Sequence, residues 1–205
     1  MIEWSIAACR TAGSVDSIVV ACPPGHVHGL DGEGVEMVDG GATRAQSVSN
    51  ALRAVDTELV AIHDAARPLV TPGLIEAVVA TLAADPEAAG AIAAAPVTDT
   101  IKQAAKGTKP SFPIPEMGKG GFVVESTLDR GRLWAAQTPQ VFRVEALRDA
   151  LAGGPDQIAT ATDEALLIEA RGGKVLIHPS PAENLKVTTP LDLKLAELLL
   201  ADSTG

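Results

Sequence analysis

Short apolar runs rich in β-branched residues alternate with stretches of helical apolar spacing along most of this chain, and that alternation constrains its fold more than any other feature. Ser17–Ala21 (SIVVA) is a continuous run of the kind found in strands buried on both faces. Val35–Val38, Leu59–His63, Ala89–Ala95 and Lys174–His178 read as further strands. Between them, Ile2, Ile6 and Cys9 share a helical face, as do Val48, Ala51, Leu52 and Val55 within Arg44–Val55. Thr71 followed by Pro72 marks a helix start, since proline at the first position sacrifices no hydrogen bond. Val144, Leu147 and Leu151 mark another helix. A further one follows Thr162, with Asp163 and Glu164 in its first turn and Gly172-Gly173 at its end. Thr189-Pro190-Leu191-Asp192 is a capping box opening the last helix, with its stripe of Leu191, Leu195, Leu198 and Leu199. Strands alternating with helices predict an α/β fold, a mostly parallel sheet with helices on both faces. The chain opens directly in a helix, without the leading strand of a doubly wound sheet. The expectation is a missing first strand, with Met1 an internal methionine of a longer protein.

Composition excludes several classes. The chain has 205 residues, 46% of them hydrophobic, which suffices for a sizeable core. A formal net charge of -10 repels nucleic-acid backbones, so no nucleic-acid partner is expected. An anionic ligand must be met by a local cluster of Arg, Lys and backbone N–H groups. No stretch reaches the ~20 apolar residues of a membrane span, and no leader peptide is visible, so a cytoplasmic protein without a membrane partner is expected. Cys9 and Cys22 fit neither a metal spacing nor a disulfide framework and read as buried structural thiols. His26 and His28 have no third metal ligand nearby and read as a solvated loop, so no protein metal site is expected. Dinucleotide and Walker signatures are absent, and Ser47 lacks a nucleophile elbow.

One segment breaks the alternation. Thr100–Leu133 is long and rich in Gly, Pro and Lys, and only Gly121–Ser126 within it reads as a strand. An extended arm or lid is the expectation, a disordered insert the alternative. Ligands of parallel sheets bind beyond the carboxyl ends of the strands, where four polar clusters fall. His63-Asp64-Ala65-Ala66-Arg67-Pro68 follows one strand; its Asp and Arg either hold hydroxyls and phosphate or pin the turn. Gly40-Gly41-Ala42-Thr43-Arg44 precedes a helix and is either an anion-binding turn or an ordinary one. Gln137-Thr138-Pro139-Gln140 follows the arm. In Asn184–Thr189, Lys186 lies in a short strand-like stretch, pointing either into a site or to solvent.

Taken in order, these segments resemble one family. Gly40-Gly41 with Arg44 and Ser47-Val48, the run His63–Pro68, Pro96–Lys102, Asp129-Arg130, Leu133–Phe142, Thr162–Ala165 and Asn184–Thr188 look like the 2-C-methyl-D-erythritol 4-phosphate cytidylyltransferases. The resemblance implies a Rossmann-like fold, a single nucleotidyltransferase domain over 1–205, and a protruding β-arm over 100–133 that makes a homodimer. It implies transfer of CMP from CTP to the sugar-alcohol phosphate in the non-mevalonate route to isoprenoids, with release of pyrophosphate and Mg²⁺ carried on the CTP phosphates. By analogy, Gly40, Gly41, Ser47 and Ala65 would contact the nucleotide, and Asp64 and Arg67 the substrate alcohol and its surroundings. Thr138, Thr162 and Lys186 would hold the substrate phosphate. Thr100 and Arg130 would reach the other subunit's site, with Arg130 and Lys186 as catalytic residues orienting the attacking phosphate.

Two departures from the family stand out. Its N-terminal glycine-rich loop, with an Arg and a Lys, has no counterpart here, so the 205 residues as written are expected to be inactive. Ala42 stands where relatives often carry an acid. Ribitol-5-phosphate cytidylyltransferase is the nearest alternative, although Ala66 and Ala136 lean toward methylerythritol phosphate. A truncated non-catalytic homologue and a nucleotidyltransferase for another sugar phosphate are the others.

Overall fold

Helix-end signals in the sequence become hydrogen bonds in the computed structural model, which describes residues 1–25, 34–105, 113–114, 118–119, 122–153 and 161–202. His26 and His28, and parts of the arm, lie outside the described residues. Thr71 Oγ1 accepts from Leu74 N at the start of α3 (Pro72–Ala83). Thr189 and Asp192 form the expected reciprocal box at the start of the last helix, Pro190–Asp202, with Asp192 N donating to Thr189 Oγ1 and Thr189 N to Asp192 Oδ2. The helix after Thr162 begins at Glu164, one residue later than expected, because Asp163 is its cap and accepts from Leu166 N.

Two compact units divide the chain: Met1–Ala94 with Ala136–Gly205, and Ala95–Ala135. The larger unit carries, in order, α1 (Ile2–Thr11), β1 (Ile18–Cys22), β2 (Val35–Asp39), α2 (Arg44–Ala51), β3 (Leu59–Ile62), α3, and most of β4 (Ala88–Pro96). The smaller unit contains β5 (Lys102–Ala104), β6 (Pro113–Ile114), β7 (Gly118–Lys119) and β8 (Val124–Thr127). Most of β9 (Trp134–Arg143), α4 (Val144–Leu151), α5 (Glu164–Glu169), β10 (Lys174–Pro179) and α6 (Pro190–Asp202) then complete the larger unit.

In the larger unit a four-stranded sheet has the order β10-β4-β9-β3, and β1 with β2 forms a separate parallel pair. Strand β10 runs parallel to β4, as expected, and β9 runs antiparallel to β3, so one antiparallel strand makes the sheet mixed. The alternation rule misses β9 because Gln137, Thr138 and Gln140 interrupt its apolar pattern and Pro139 removes a ladder donor, yet all four are buried. The Thr138–Pro139 peptide is cis.

Period-two alternation places helices on both faces, as expected. Ala91, Ala93 and Val141 pack with Ala8 of α1, Ala12 just after it, and Ile75, Val78 and Leu82 of α3. Ile92 and Phe142 point the other way, against Leu147 of α4 and Leu167 and Ile168 of α5. The two strands approach closely at Gly90, where a Cβ would strike the Phe142 ring.

Strand β1 is not buried on both faces; Ala21 is exposed. Among the described residues β1 pairs with β2 alone. A cavity of about 670 Å³ lies between β1 and β3, lined by Val19, Val20, Val60, Ile62, Ile6 and Cys9 among others. Both cysteines are free; Cys22 is buried and Cys9 half-buried, with its thiol pKa pushed up by burial.

In the smaller unit β5 pairs antiparallel with β8, and β6 with β7. Cross-strand bonds from Lys102 Nζ to Thr127 Oγ1 (2.7 Å) and from Ser126 Oγ to Gln103 Oε1 (3.0 Å) tie the first pair. Residues Lys102–Ala104 carry no β-branched side chain, so nothing in their composition announces a strand.

Candidate functional site

At the carboxyl end of β3 the chain turns sharply, and Arg67 N donates to Asp64 O at 2.9 Å. The turn is pinned by this backbone bond, not by an Asp64–Arg67 ion pair. Buried Arg67 reaches away to Asn184, donating from one terminal nitrogen to its carbonyl at 2.7 Å. Burial lowers its pKa, the nearby Asp64 opposes that, and Arg44 adds to it. Its Nε has no partner among the described residues.

Asn184 sits in a buried polar network. Its Nδ2 donates to Gln137 Oε1 (3.0 Å) and to Thr138 O (2.9 Å), and Ser180 Oγ donates to Gln137 Oε1 (2.8 Å). Val187 N donates to Ala66 O at 2.8 Å. This segment is irregular, not the strand expected from its apolar neighbours, because its bonds go to a turn and to side chains.

The segment's path brings Lys186 Nζ to 2.9 Å from Asp64 Oδ2. Arg44, the first residue of α2, donates from Nε to Asp64 Oδ1 at 3.1 Å and from a terminal nitrogen to Glu164 Oε2. Burial works to raise the Asp64 pKa, but the Lys186 bond and the Arg44 charge outweigh it, so the carboxyl stays below its usual range. Burial likewise works to lower the Arg44 pKa and is overcome by Glu164 and Asp64. Side-chain exposure is 16% for Asp64 and 1% for Glu164, against 35% for Arg44 and 43% for Lys186. The acids are therefore fixed and the cations reach solvent.

Beneath this cluster runs a chain of hydrogen bonds whose polarity can be deduced. His63 Nε2 lies 3.1 Å from Arg67 O, which only accepts, so Nε2 carries the proton. Burial pushes the His63 pKa down, keeping the ring neutral, so Nδ1 accepts from Thr138 Oγ1 at 2.9 Å. Thr138 Oγ1 in turn accepts from Asp64 N at 3.0 Å. The Thr138 hydroxyl proton is committed inward.

The Gly40–Gly41 turn lies where β2 hands over to α2. Gly40 N donates to Cys22 O at 2.6 Å, and Gly41 N to Ser47 Oγ at 3.0 Å. Ala42 N donates to Gln46 Oε1, and Thr43 caps the helix. A Cβ on Gly41 would overlap Gln46, so close approach, not backbone dihedrals, demands glycine. Ser47, Ala65, Asp64 and Arg44 line the polar end of the cavity beside β1.

The structure thus brings Asp64, Ala65, Arg67, Thr138 and Lys186 together, with Gly40, Gly41 and Ser47 at the helix that carries Arg44. Thr162 is exposed, two residues before Glu164. Thr100 and Arg130 belong to the smaller unit, where Arg130 donates to Thr98 O at 2.7 Å. Sequence reasoning placed Arg44 and Glu164 in motifs without assigning them a site role; that two such charges sit 120 positions apart gives no local signal. Among the described residues no group of three or more His, Cys, Asp and Glu could hold a metal ion, and no helix is long and apolar enough to cross a membrane.

A family model described as 2-C-methyl-D-erythritol 4-phosphate cytidylyltransferase (IspD) matches residues 1–202. A bifunctional IspD/IspF enzyme of Anaeromyxobacter sp. (strain Fw109-5) is 42% identical over 195 residues, 91% of this chain and 47% of that protein. The chain spans about half the length of the bifunctional relatives it matches. A 2-C-methyl-D-erythritol 4-phosphate cytidylyltransferase of Syntrophotalea carbinolica is 39% identical over 217 residues, with 100% of this chain and 85% of the relative covered. The crystal structure of the enzyme so named from Thermus thermophilus superposes with a TM-score of 0.77 at 34% identity, covering 97% of this chain and 87% of that one. Fold, motif order and relatives agree, and the chain belongs to the 2-C-methyl-D-erythritol 4-phosphate cytidylyltransferase family.

Proposed function

We propose that this chain carries the cytidylyltransferase active site that converts CTP and 2-C-methyl-D-erythritol 4-phosphate to 4-diphosphocytidyl-2-C-methyl-D-erythritol and pyrophosphate, in the cytoplasm. The supporting observation is the Lys186–Asp64–Arg44 cluster at a strand tip beside the Gly40–Gly41 turn. A phosphate oxygen of the sugar alcohol bonds to the α-phosphorus of CTP, and the bond from that phosphorus to the bridging oxygen breaks. Pyrophosphate leaves with the Mg²⁺ that entered on the nucleotide. Positioning and charge stabilisation dominate such a reaction.

Lys186 is the catalytic cation: 43% exposed, it can exchange Asp64 for a substrate phosphate. Asp64 then accepts from ligand hydroxyls. The backbone at Gly40, Gly41 and Ala65, with Ser47, forms the nucleotide edge, and Thr162 faces the substrate phosphate. Thr138, whose hydroxyl is used inward, and Arg67, which ties one terminal nitrogen to Asn184 O, hold the turn and the Lys186 segment in place. Assignment of 1–205 as one catalytic domain, of the arm as a homodimer contact, and of Thr100 and Arg130 to a partner's site rests on the family resemblance.

Calorimetry with MgCTP, followed by pyrophosphate release with methylerythritol phosphate and ribitol 5-phosphate in parallel, tests the reading. MgCTP binding is expected, with release dependent on methylerythritol phosphate where turnover occurs. Lys186→Met should weaken binding of methylerythritol phosphate in the same calorimetry by ~10-fold or more, through loss of a charge-assisted hydrogen bond. Failure to bind MgCTP, or release with ribitol 5-phosphate alone, refutes it.

A further inference from the structure

We propose that Glu164 is a positioning residue for this site: it holds the Arg44 guanidinium so that Nε, and not a freely rotating terminal nitrogen, meets Asp64. The proposal rests on the reading of Asp64 and Lys186 given above.

A guanidinium is a rigid plane, so fixing one terminal nitrogen fixes the direction of Nε. Glu164 is a firm anchor, 1% exposed, at the first position of α5. The cap before it, Asp163, accepts from Leu166 N with one oxygen and from Gln140 Nε2 of β9 with the other, at 3.0 Å each. The Glu164 carboxylate is thereby tied to the sheet. Arg44 spans from it to Asp64, joining α5, α2 and the end of β3 through one side chain.

The consequence appears when Lys186 moves to a phosphate. Among the described residues Asp64 has ion pairs with Lys186 and Arg44 alone, so Arg44 then becomes its remaining cation. At 35% exposure Arg44 has room to swing out and bind a phosphate oxygen itself. Glu164 prevents that, keeping Arg44 on Asp64 and leaving the anionic ligands to Lys186.

Titration of the Asp64 carboxyl by carbon-13 NMR on the whole chain tests this without requiring turnover. Removing a nearby negative charge would, by itself, lower the Asp64 pKa. Release of Arg44 does the opposite. Glu164→Gln, which keeps the shape and loses the charge, should therefore raise it toward the usual carboxylate range. Arg44→Lys, which keeps the charge but cannot span two carboxylates, should do the same. A fall or no change in both variants overturns the proposal.

Function gives a second readout. Glu164→Gln should weaken MgCTP binding about tenfold in the native background and leave it unaltered in an Asp64→Asn background, because a role exerted through Asp64 vanishes with it. Equal losses in both backgrounds indicate a merely structural role and refute the idea. If the unsubstituted chain binds no MgCTP, the functional reading fails while the titration still decides the positioning claim.

Discussion

Replacing Thr138 by valine removes one oxygen and leaves the shape of a buried side chain nearly unchanged, so its effect isolates the hydrogen-bond chain beneath Asp64. In the native structure that oxygen accepts from Asp64 N at 3.0 Å and donates to His63 Nδ1 at 2.9 Å. Valine strands both groups. An unpaired buried polar group costs ~1–3 kcal/mol, so the pair sums to ~2–6 kcal/mol. Water reaching the partly exposed Asp64 turn brings the expectation to ~2–4 kcal/mol. For a chain of this size that is a fall in Tm of roughly 5–15 °C. Urea unfolding followed by circular dichroism measures the loss, with Thr138→Ser as control, since serine keeps the hydroxyl and should cost only ~1 kcal/mol. Nitrogen-15 spectra of the His63 ring should show the neutral form protonated at Nε2. Thr138→Val unfolding within ~0.5 kcal/mol of the native protein, a range typical of surface substitutions, would refute this role for the hydroxyl, and so would a serine as damaging as valine.

Gly41→Ala should destabilise the protein by ~1–3 kcal/mol, since its Cβ overlaps Gln46, and should also weaken MgCTP binding in calorimetry. Acid should act in stages. The His63 pKa is lowered from 6.5 by burial, so its contribution is complete above pH 6.5 and falls away as pH drops from there toward the folded value. Asp64 and Asp192 are both lowered from 3.8, Asp192 to about 2 by the bonds it accepts from Thr188 and Thr189, so their contributions are lost only at lower pH. Thermal melts from pH 8 to pH 2 should show the first decline begin near pH 6.5, and His63→Gln should remove it.

Elements whose formation depends on local chemistry were legible in the sequence. Thr71 with Pro72 and Thr189 with Asp192 each supply a cap within four residues, so pattern and structure coincide. The apolar runs gave β1, β3, β4 and β10 to within a residue or so. Strand β9 was not legible, because its burial depends on partners elsewhere: Gln137 needs Ser180 and Asn184, and Gln140 needs Asp163. The antiparallel direction of β9 was not legible for the same reason, since it follows from where the chain enters the sheet and not from its residues. At the site, Asp64 was visible as a polar residue at a strand end and Lys186 as a lysine between apolar neighbours, and the family motifs supplied their order. The hub was not visible. Arg44 matters through the positions of two carboxylates, and those are set by tertiary packing.

The site divides into tiers that solve different electrostatic problems. A lower, mostly buried tier of Gln137, Asn184, Arg67, His63 and Thr138 joins one cation, Arg67, to otherwise neutral donors and acceptors. The upper tier holds two acids, fixed and mostly buried, and two cations with access to solvent. In a chain of net charge -10, two phosphorylated reactants meet repulsion from the protein as a whole. Fixed acids, one anchored cation and one movable cation let Lys186 leave Asp64 without leaving a carboxylate unpaired, because Arg44 stays. The same arrangement makes binding a competition between ligand phosphate and Asp64 for one ammonium. Asp64→Asn should therefore tighten phosphate binding at Lys186 while weakening the contacts to ligand hydroxyls. Titrating inorganic phosphate and CTP separately against that variant would distinguish this arrangement from one in which Asp64 and Lys186 merely form a structural pair.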